Sequence, residues 1–278
     1  MLLRTECLLL SALFYGQLAA LRAQNPKQLV QQAVQTEIEA SSNDHTHWLY
    51  FEVDSEPKKG VKQWVAQAFP ATVQRVVERN GQPLTEAEQR QEMESFMHDT
   101  RAQAKQHKND QHDDEQAAEL LRILPDAFIW TIQGQKGSDT NLHFKPNPQF
   151  NPPDLEARVF AAMEGDMVIN TAQHRIATLK GRLIRDVKIG GGLLGSLQAG
   201  GTFDVERRET AKNLWQITET HVHIQGHILI FKTISEEEDN VKTSFRQLPS
   251  DISMQQAEAV LLNQGAGGTT ASSLGRSK

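Results

Sequence analysis

Leu214-Trp215-Gln216-Ile217-Thr218-Glu219-Thr220-His221-Val222-His223-Ile224-Gln225-Gly226-His227-Ile228-Leu229-Ile230-Phe231-Lys232-Thr233-Ile234 is rich in β-branched and aromatic side chains and carries a Gln-Gly pair near its middle. Such a run reads as a β-hairpin. With Gln225-Gly226 as a two-residue turn, Ile224 pairs with His227 and His223 with Ile228, and the two faces follow from that register. One face shows Leu214, Val222, Ile224, Leu229 and Phe231. The other shows Trp215, Ile217, Ile228, Ile230 and Ile234 mixed with Glu219, His221, His223 and Lys232. An antiparallel sheet with one wet face alternates more cleanly than this. Both faces are therefore expected to be covered, one by strands or helices and one by a partly apolar concavity.

The same texture extends outward from the hairpin. Leu155–Met163, Met167–Asn170, Ile176–Ile189, Thr202–Arg208 and Val241–Leu248 read as strands with short connections, which favours an antiparallel meander. Upstream, Phe128–Ile132 and Leu142–Phe144 bracket the turn Gln135–Asp139, and the Pro-rich segment Lys145–Pro153 crosses over. Three earlier strands are read at His47–Val53, Val61–Phe69 and Thr72–Glu78. Asn25-Pro26 opens a helix through Ile38, with Leu29, Val30, Ala33, Val34 and Ile38 on one stripe. Thr85 and Glu88 form a capping box that launches a helical insertion over 84–124. Met93, Phe96 and Met97 pack one end of it, and Leu120, Leu121, Ile123 and Leu124 the other. Its middle is polar, with a break expected at Asn109-Asp110 and a lid as its conceivable role. A last helix spans Met254–Leu262, and the Gly/Ser/Thr tail 264–278 is expected to be disordered. The expected class is α+β: a strongly curved antiparallel β-sheet, an unclosed barrel, with helices on one side.

Composition narrows the function. The chain has 278 residues, 38% of them hydrophobic, enough for a substantial core. Its net charge is −6, from 29 basic and 35 acidic residues, which argues against nucleic acid as a partner. The single cysteine, Cys7, excludes disulfide scaffolds and cysteine-rich zinc modules. Beyond the N-terminus no apolar run approaches the roughly 20 residues of a membrane span. Arg4, the apolar stretch Cys7–Ala20 and Ala23 before a polar run give residues 1–23 the layout of a cleavable secretory signal. A single domain over 24–263 of an exported protein is expected.

The order of signal, N-terminal helix, early strands, helical insertion and long meander resembles the LolA/LolB-type outer-membrane lipoprotein-sorting fold, an unclosed β-barrel that holds acyl chains beneath helices. Glu164-Gly165-Asp166-Met167-Val168-Ile169-Asn170-Thr171-Ala172-Gln173-His174-Arg175-Ile176 is similar to a strand-turn-strand of relatives in that group, where an Ile-Asp pair more often stands at Ile169-Asn170. Arg158–Gly165 and Leu229–Ile234 are similar to segments of a bacterial exported family of unknown function. The resemblance implies the periplasm or cell envelope of a bacterium and a lipid or lipidated protein as partner. No position matches a ligand-contacting motif of the carriers, and the insertion here is longer than theirs.

For chemistry, His221 and His223 share one strand face with Glu219, a spacing that metal sites use; the same register sends His227 to the other face. His45-Thr46-His47 repeats the spacing at a strand start. Gly190–Gly201 lacks the Gly-Lys-Ser/Thr ending of a phosphate loop and precedes a strand, so it reads as a flexible loop, with Leu193, Leu194 and Leu197 as an apolar flap at a cavity mouth. There is no Gly-x-Ser-x-Gly elbow, no His-Glu-x-x-His and no cysteine nucleophile after the signal; Glu236–Asp239 reads as a charged turn. No catalytic residue or cofactor is expected. Three readings stay open. One is a binder of an apolar or lipidated ligand, its cavity lined by Trp215, Ile217, Ile228, Ile230 and Ile234. Another is an envelope protein–protein interaction module. The last is a metal-dependent hydrolase at His221, His223 and Glu219.

Overall fold

The computed structural model describes residues 25–56, 60–189, 191, 195–228 and 232–265, with backbone alone for 226–228 and 232–237. The expected signal and nearly all of the tail lie outside these residues. Helix α1 (Pro26–Asn43) starts where Asn25 accepts the Lys27 N–H and buries Leu29, Val30, Ala33, Val34 and, on the same stripe, Glu37. It runs beyond Ile38 to a cap in which the Asp44 N–H donates to the Ala40 carbonyl. Strands β1 (His47–Asp54), β2 (Val61–Ala66) and β3 (Val73–Arg79) follow as expected, with a short β4 (Gln82–Pro83).

The insertion is two helices. The Thr85–Glu88 capping box opens α2 (Glu86–His98), and α3 (Thr100–Ala127) follows at once. The break falls at Asp99, whose carboxylate accepts the N–H groups of Arg101 and Ala102 and so restarts the helix. At Asn109-Asp110, where a break was expected, α3 continues. Its many Ala, Gln, Lys and Glu residues are good helix formers and outweigh the two weak ones.

Strands β5 (Phe128–Lys136) and β6 (Asp139–Pro146) form the expected hairpin around Gly137, at φ 61°. Leu155–Met163, expected as one strand, is instead helix α4 (Leu155–Phe160) followed by the start of β7 (Met163–Asn170). Asp154 accepts the Ala157 N–H and caps a helical turn that the apolar residues alone do not betray. The run Ile176–Ile189 divides into β8 (Arg175–Leu183) and β9 (Val187–Ile189). Then come β10 (Gly195–Leu197), β11 (Thr202–Ala211), β12 (Leu214–Ile228), β13 (Lys232–Leu248) and α5 (Met254–Leu262), the last opened by a Ser253–Gln256 capping box.

The thirteen strands among the described residues make one curved antiparallel sheet that does not close. Its order is β4-β3-β2-β1-β13-β12-β11-β8-β7-β6-β5, with the β9–β10 hairpin attached to the far end of β12. That attachment corrects the hairpin register. Gly226 pairs with Ile234 and Ile228 with Lys232, so β12 passes through Gln225-Gly226 and turns only after Ile228. Leu197 and Gly195 pair with Gly226 and Ile228 from the other side, and a segment flanked by two partners stays extended. Glu236–Asp239, expected as a turn, lies within β13, paired with His221–Ile224 of β12.

Two cores hold the sheet. One gathers Leu29, Val30, Leu124, Trp130, Phe144 and Met167 between α1, the end of α3 and β5–β8; the other gathers Leu49, Phe51, Trp64, Met93, Met254 and Leu261 between β1–β3, α2 and α5. Met93 thus belongs to an ordinary core. Leu49 and Phe51 alternate along β1 with Trp48 and Tyr50, so the opposite face of β1 is left to the cavity described next.

Candidate functional site

A cavity of about 900 Å³, open to solvent, lies between the C-terminal half of α1, the start of β1 and the tip of the β11–β12 hairpin. Glu37, Arg175 and Arg207 form its floor; Trp48, Leu214, Trp215 and Ile217 stand in its walls; Asp44 from the end of α1 and Asp114 from α3 stand at its rim.

The floor follows from α1. Glu37 continues the buried stripe one turn beyond Ala33, and a buried carboxylate needs partners. It accepts Arg175 Nε at 3.1 Å, Arg175 Nη2 at 2.9 Å and the Ile176 N–H at 2.8 Å, and Arg207 Nη1 also contacts it. Burial pushes the Glu37 carboxyl up, but the Arg207 and Arg175 guanidiniums outweigh it and hold the group below the usual carboxylate range. Arg175 lies 5.9 Å from the Trp215 ring, whose indole N–H donates to Gln173 at 2.7 Å. Arg207 Nε and Trp48 Nε1 are buried with no hydrogen-bond partner among the described residues.

Next to the cavity, Tyr50 stacks on Phe245 with centroids 5.4 Å apart, and Lys242 Nζ lies 5.5 Å from its ring. Burial first, then Glu52 and Asp110, push its phenol well above the ordinary tyrosine value. Burial and neighbouring aspartates raise the carboxyls of Asp110 and Asp114. The acidic middle of α3 therefore passes over an aromatic stretch of the sheet.

A β-bulge decides which expected residues reach the site. Arg207 pairs with Ile217 and Glu206 with Glu219, leaving Thr218 as an extra residue on β12. Side chains of paired residues share a face, so Ile217 joins Arg207 on the cavity side while Glu219 joins Glu206 on the other. Trp215 and Ile217 both line this cavity. Leu214, expected on the opposite face, lines it too. Ile230 and the side chains of Ile228 and Ile234 lie outside the described residues.

His221, His223 and Glu219 stand on the far face, not with Trp215 and Ile217. Asp239 Oδ1 lies 2.7 Å from His221 Nδ1 and 3.3 Å from His223 Nε2, and Glu219 lies 3.9 Å from His221 Nε2. Among the described residues no three His, Cys, Asp or Glu side chains are arranged to hold a metal ion. His221 is instead one link in a row across six strands, in which His143 pairs with Asp166, Asp166 with Lys180, Lys180 with Asp204, Asp204 with His221 and His221 with Asp239. Two contacts in it, His143 to Asp166 and Lys180 to Asp204, are both 2.8 Å. His45 is at the cavity edge, away from this row. Leu197, expected in a flap, is buried in the first core, and Leu193 and Leu194 lie outside the described residues.

Glu37, Arg175 and Arg207 were not singled out from sequence. The available signal was a charged residue on the apolar stripe of α1; its partners, more than a hundred residues away, left no local trace. Comparison with protein-family models, with curated proteins and with solved structures finds no match to this chain.

Proposed function

We propose that this protein is a non-enzymatic binder of an amphipathic, lipid-like or lipidated ligand, held non-covalently in the cavity beside α1, and that it works in the bacterial cell envelope after export. The observation that carries the reading is the cavity. Its volume of about 900 Å³ lies within the range typical of small-ligand sites, and two tryptophans, Leu214 and Ile217 wall it above a charged floor. Each ~100 Å² of apolar surface that an acyl segment removes from water there contributes about 2.5 kcal/mol, at roughly 25 cal/mol per Å². The charged floor calls for a polar end on the same ligand. The resemblance to lipoprotein carriers agrees with this and adds the envelope as the setting. No helix among the described residues is long and apolar enough to cross a membrane.

The test is native mass spectrometry of the protein purified gently from an envelope extract, followed by solvent extraction and titration of the stripped protein with dodecyl-chain amphiphiles. A stoichiometric amphiphile, or saturable binding weakened by Trp215→Ala, is expected. Clean apo mass together with no saturable binding sinks the reading.

A further inference from the structure

We infer that the cavity reads an anionic head group, a carboxylate or phosphate, through Arg207 and Arg175; the inference rests on the ligand-binding reading above and names the polar end of the ligand. Two guanidiniums share one carboxylate, Glu37, so the floor keeps an excess positive charge. Their donors are also unevenly used. Arg175 gives Nε and Nη2 to Glu37 in a fork, while Arg207 reaches Glu37 through Nη1 and leaves its buried Nε without a partner. Trp48, a residue only 2% exposed that also lines the cavity, has a second buried donor without a partner, its indole N–H. Buried donors without acceptors are uncommon, and those two beside excess positive charge match the oxygens of an anion.

The rim has the opposite sign. Asp114 of α3 and Asp44 at the end of α1 both line the cavity, and burial with the neighbouring Asp113 raises the Asp114 carboxyl. Asp44 accepts the Thr46 N–H at 2.9 Å beside it. An anionic head is therefore held at the floor and not at the mouth, with the apolar part of the ligand against Trp215, Leu214 and Ile217.

Calorimetry on the whole protein tests this with dodecyl phosphate, dodecyl maltoside and dodecyltrimethylammonium, each below its micelle concentration, and with inorganic phosphate. Dodecyl phosphate is expected to bind about tenfold or more tighter than the neutral maltoside, and the cationic amphiphile weakest of the three. Arg207→Gln is expected to abolish that preference, and Arg207→Lys to keep part of it. Glu37 retains Arg175 and the Ile176 N–H in both variants, and a cooperative thermal melt verifies their folding. Trp48→Phe, which removes the indole donor and part of the ring system, should weaken the phosphate more than the maltoside. Equal affinity for all three amphiphiles, unmoved by Arg207→Gln, overturns the inference and leaves the ligand-binding reading standing. Inorganic phosphate binding as tightly as dodecyl phosphate supports the anion site but overturns the amphiphile reading.

Discussion

Glu37→Gln keeps the size of a buried side chain and removes its charge. Glu37 is 3% exposed and holds Arg175 by two hydrogen bonds, Arg207 by one contact and the backbone of Ile176 by another, so the amide leaves two guanidiniums facing each other with no anion between them. Breaking a buried ion pair by removing one partner costs about 3–5 kcal/mol. Here the loss also frees the C-terminal half of α1 from β8 and β11. Urea denaturation at pH 7 is therefore expected to show Glu37→Gln about 3–5 kcal/mol less stable than the parent, with an unchanged m-value. The pH dependence adds a second reading. The carboxyl of Glu37 lies below its ordinary value in the folded protein, so its contribution is full above about pH 4.5 and is lost as the pH falls through the folded value. The parent should lose stability over that acid window more steeply than Glu37→Gln, which has nothing to titrate there. A loss under about 1 kcal/mol at pH 7, or identical acid limbs in the two proteins, would refute the role given to the floor.

Gly165 and Gly181 face each other in register, and a Cβ at Gly165 would stand 1.9 Å from the Lys180 carbonyl oxygen, against 2.5 Å from the Phe203 ring for a Cβ at Gly181. Gly181→Ala should cost about 1–3 kcal/mol by overpacking and Gly165→Ala more, because backbone yields less than a ring; thermal melts of the two rank them. Met93→Ala, at a residue 2% exposed in the second core, is expected to lose about 2–5 kcal/mol in urea denaturation. Ser253→Ala removes the hydroxyl that accepts the Gln256 N–H at the start of α5 and should cost about 1 kcal/mol. The opposite end of that helix is held by Arg75 at the carbonyls of Leu261 and Gln264, so hydrogen exchange is expected to speed up at residues 256–258, near the lost cap, and not at 261–264.

Elements set by local chemistry were legible in the chain. The capping box at Thr85, the last helix at Met254–Leu262 and the strands around Trp48 and Leu142 need only neighbours a few residues away, and the structure places them where the sequence reading did. One misreading overlooked a local cap, and another fell where a distant partner decides. Leu155–Phe160 looks like a strand by its apolar residues, and only the side chain of Asp154, folded back on Ala157, makes it a helix. Gln225-Gly226 has the composition of a turn, and pairing with β10 keeps it extended. The site was half legible for the same reason: Trp215 and Ile217 were visible as apolar side chains in a mixed strand, whereas Glu37, Arg175 and Arg207 join only across the folded sheet.

Thr218 separates two surfaces that a regular strand would have merged. Strict alternation through residues 215–223 puts Trp215 and Ile217 on the same face as Glu219, His221 and His223, and a single face carrying both sets is neither apolar nor a consistent charge array. One extra residue on β12 changes the parity once. On the cavity side the strand then offers Leu214, Trp215 and Ile217 to the arginine floor. On the far side His221 falls into line with Asp204, Lys180, Asp166 and His143, acidic residues alternating with Lys or His across neighbouring strands. Half-exposed pairs of this kind add little stability one by one, but a one-residue slip would turn these side chains to the other face and break every pair in the row. Over β6–β8 the row backs the packed first core, and over β11 and β12 it backs the cavity, where cross-strand pairs on the outer face add to a register that less packing supports.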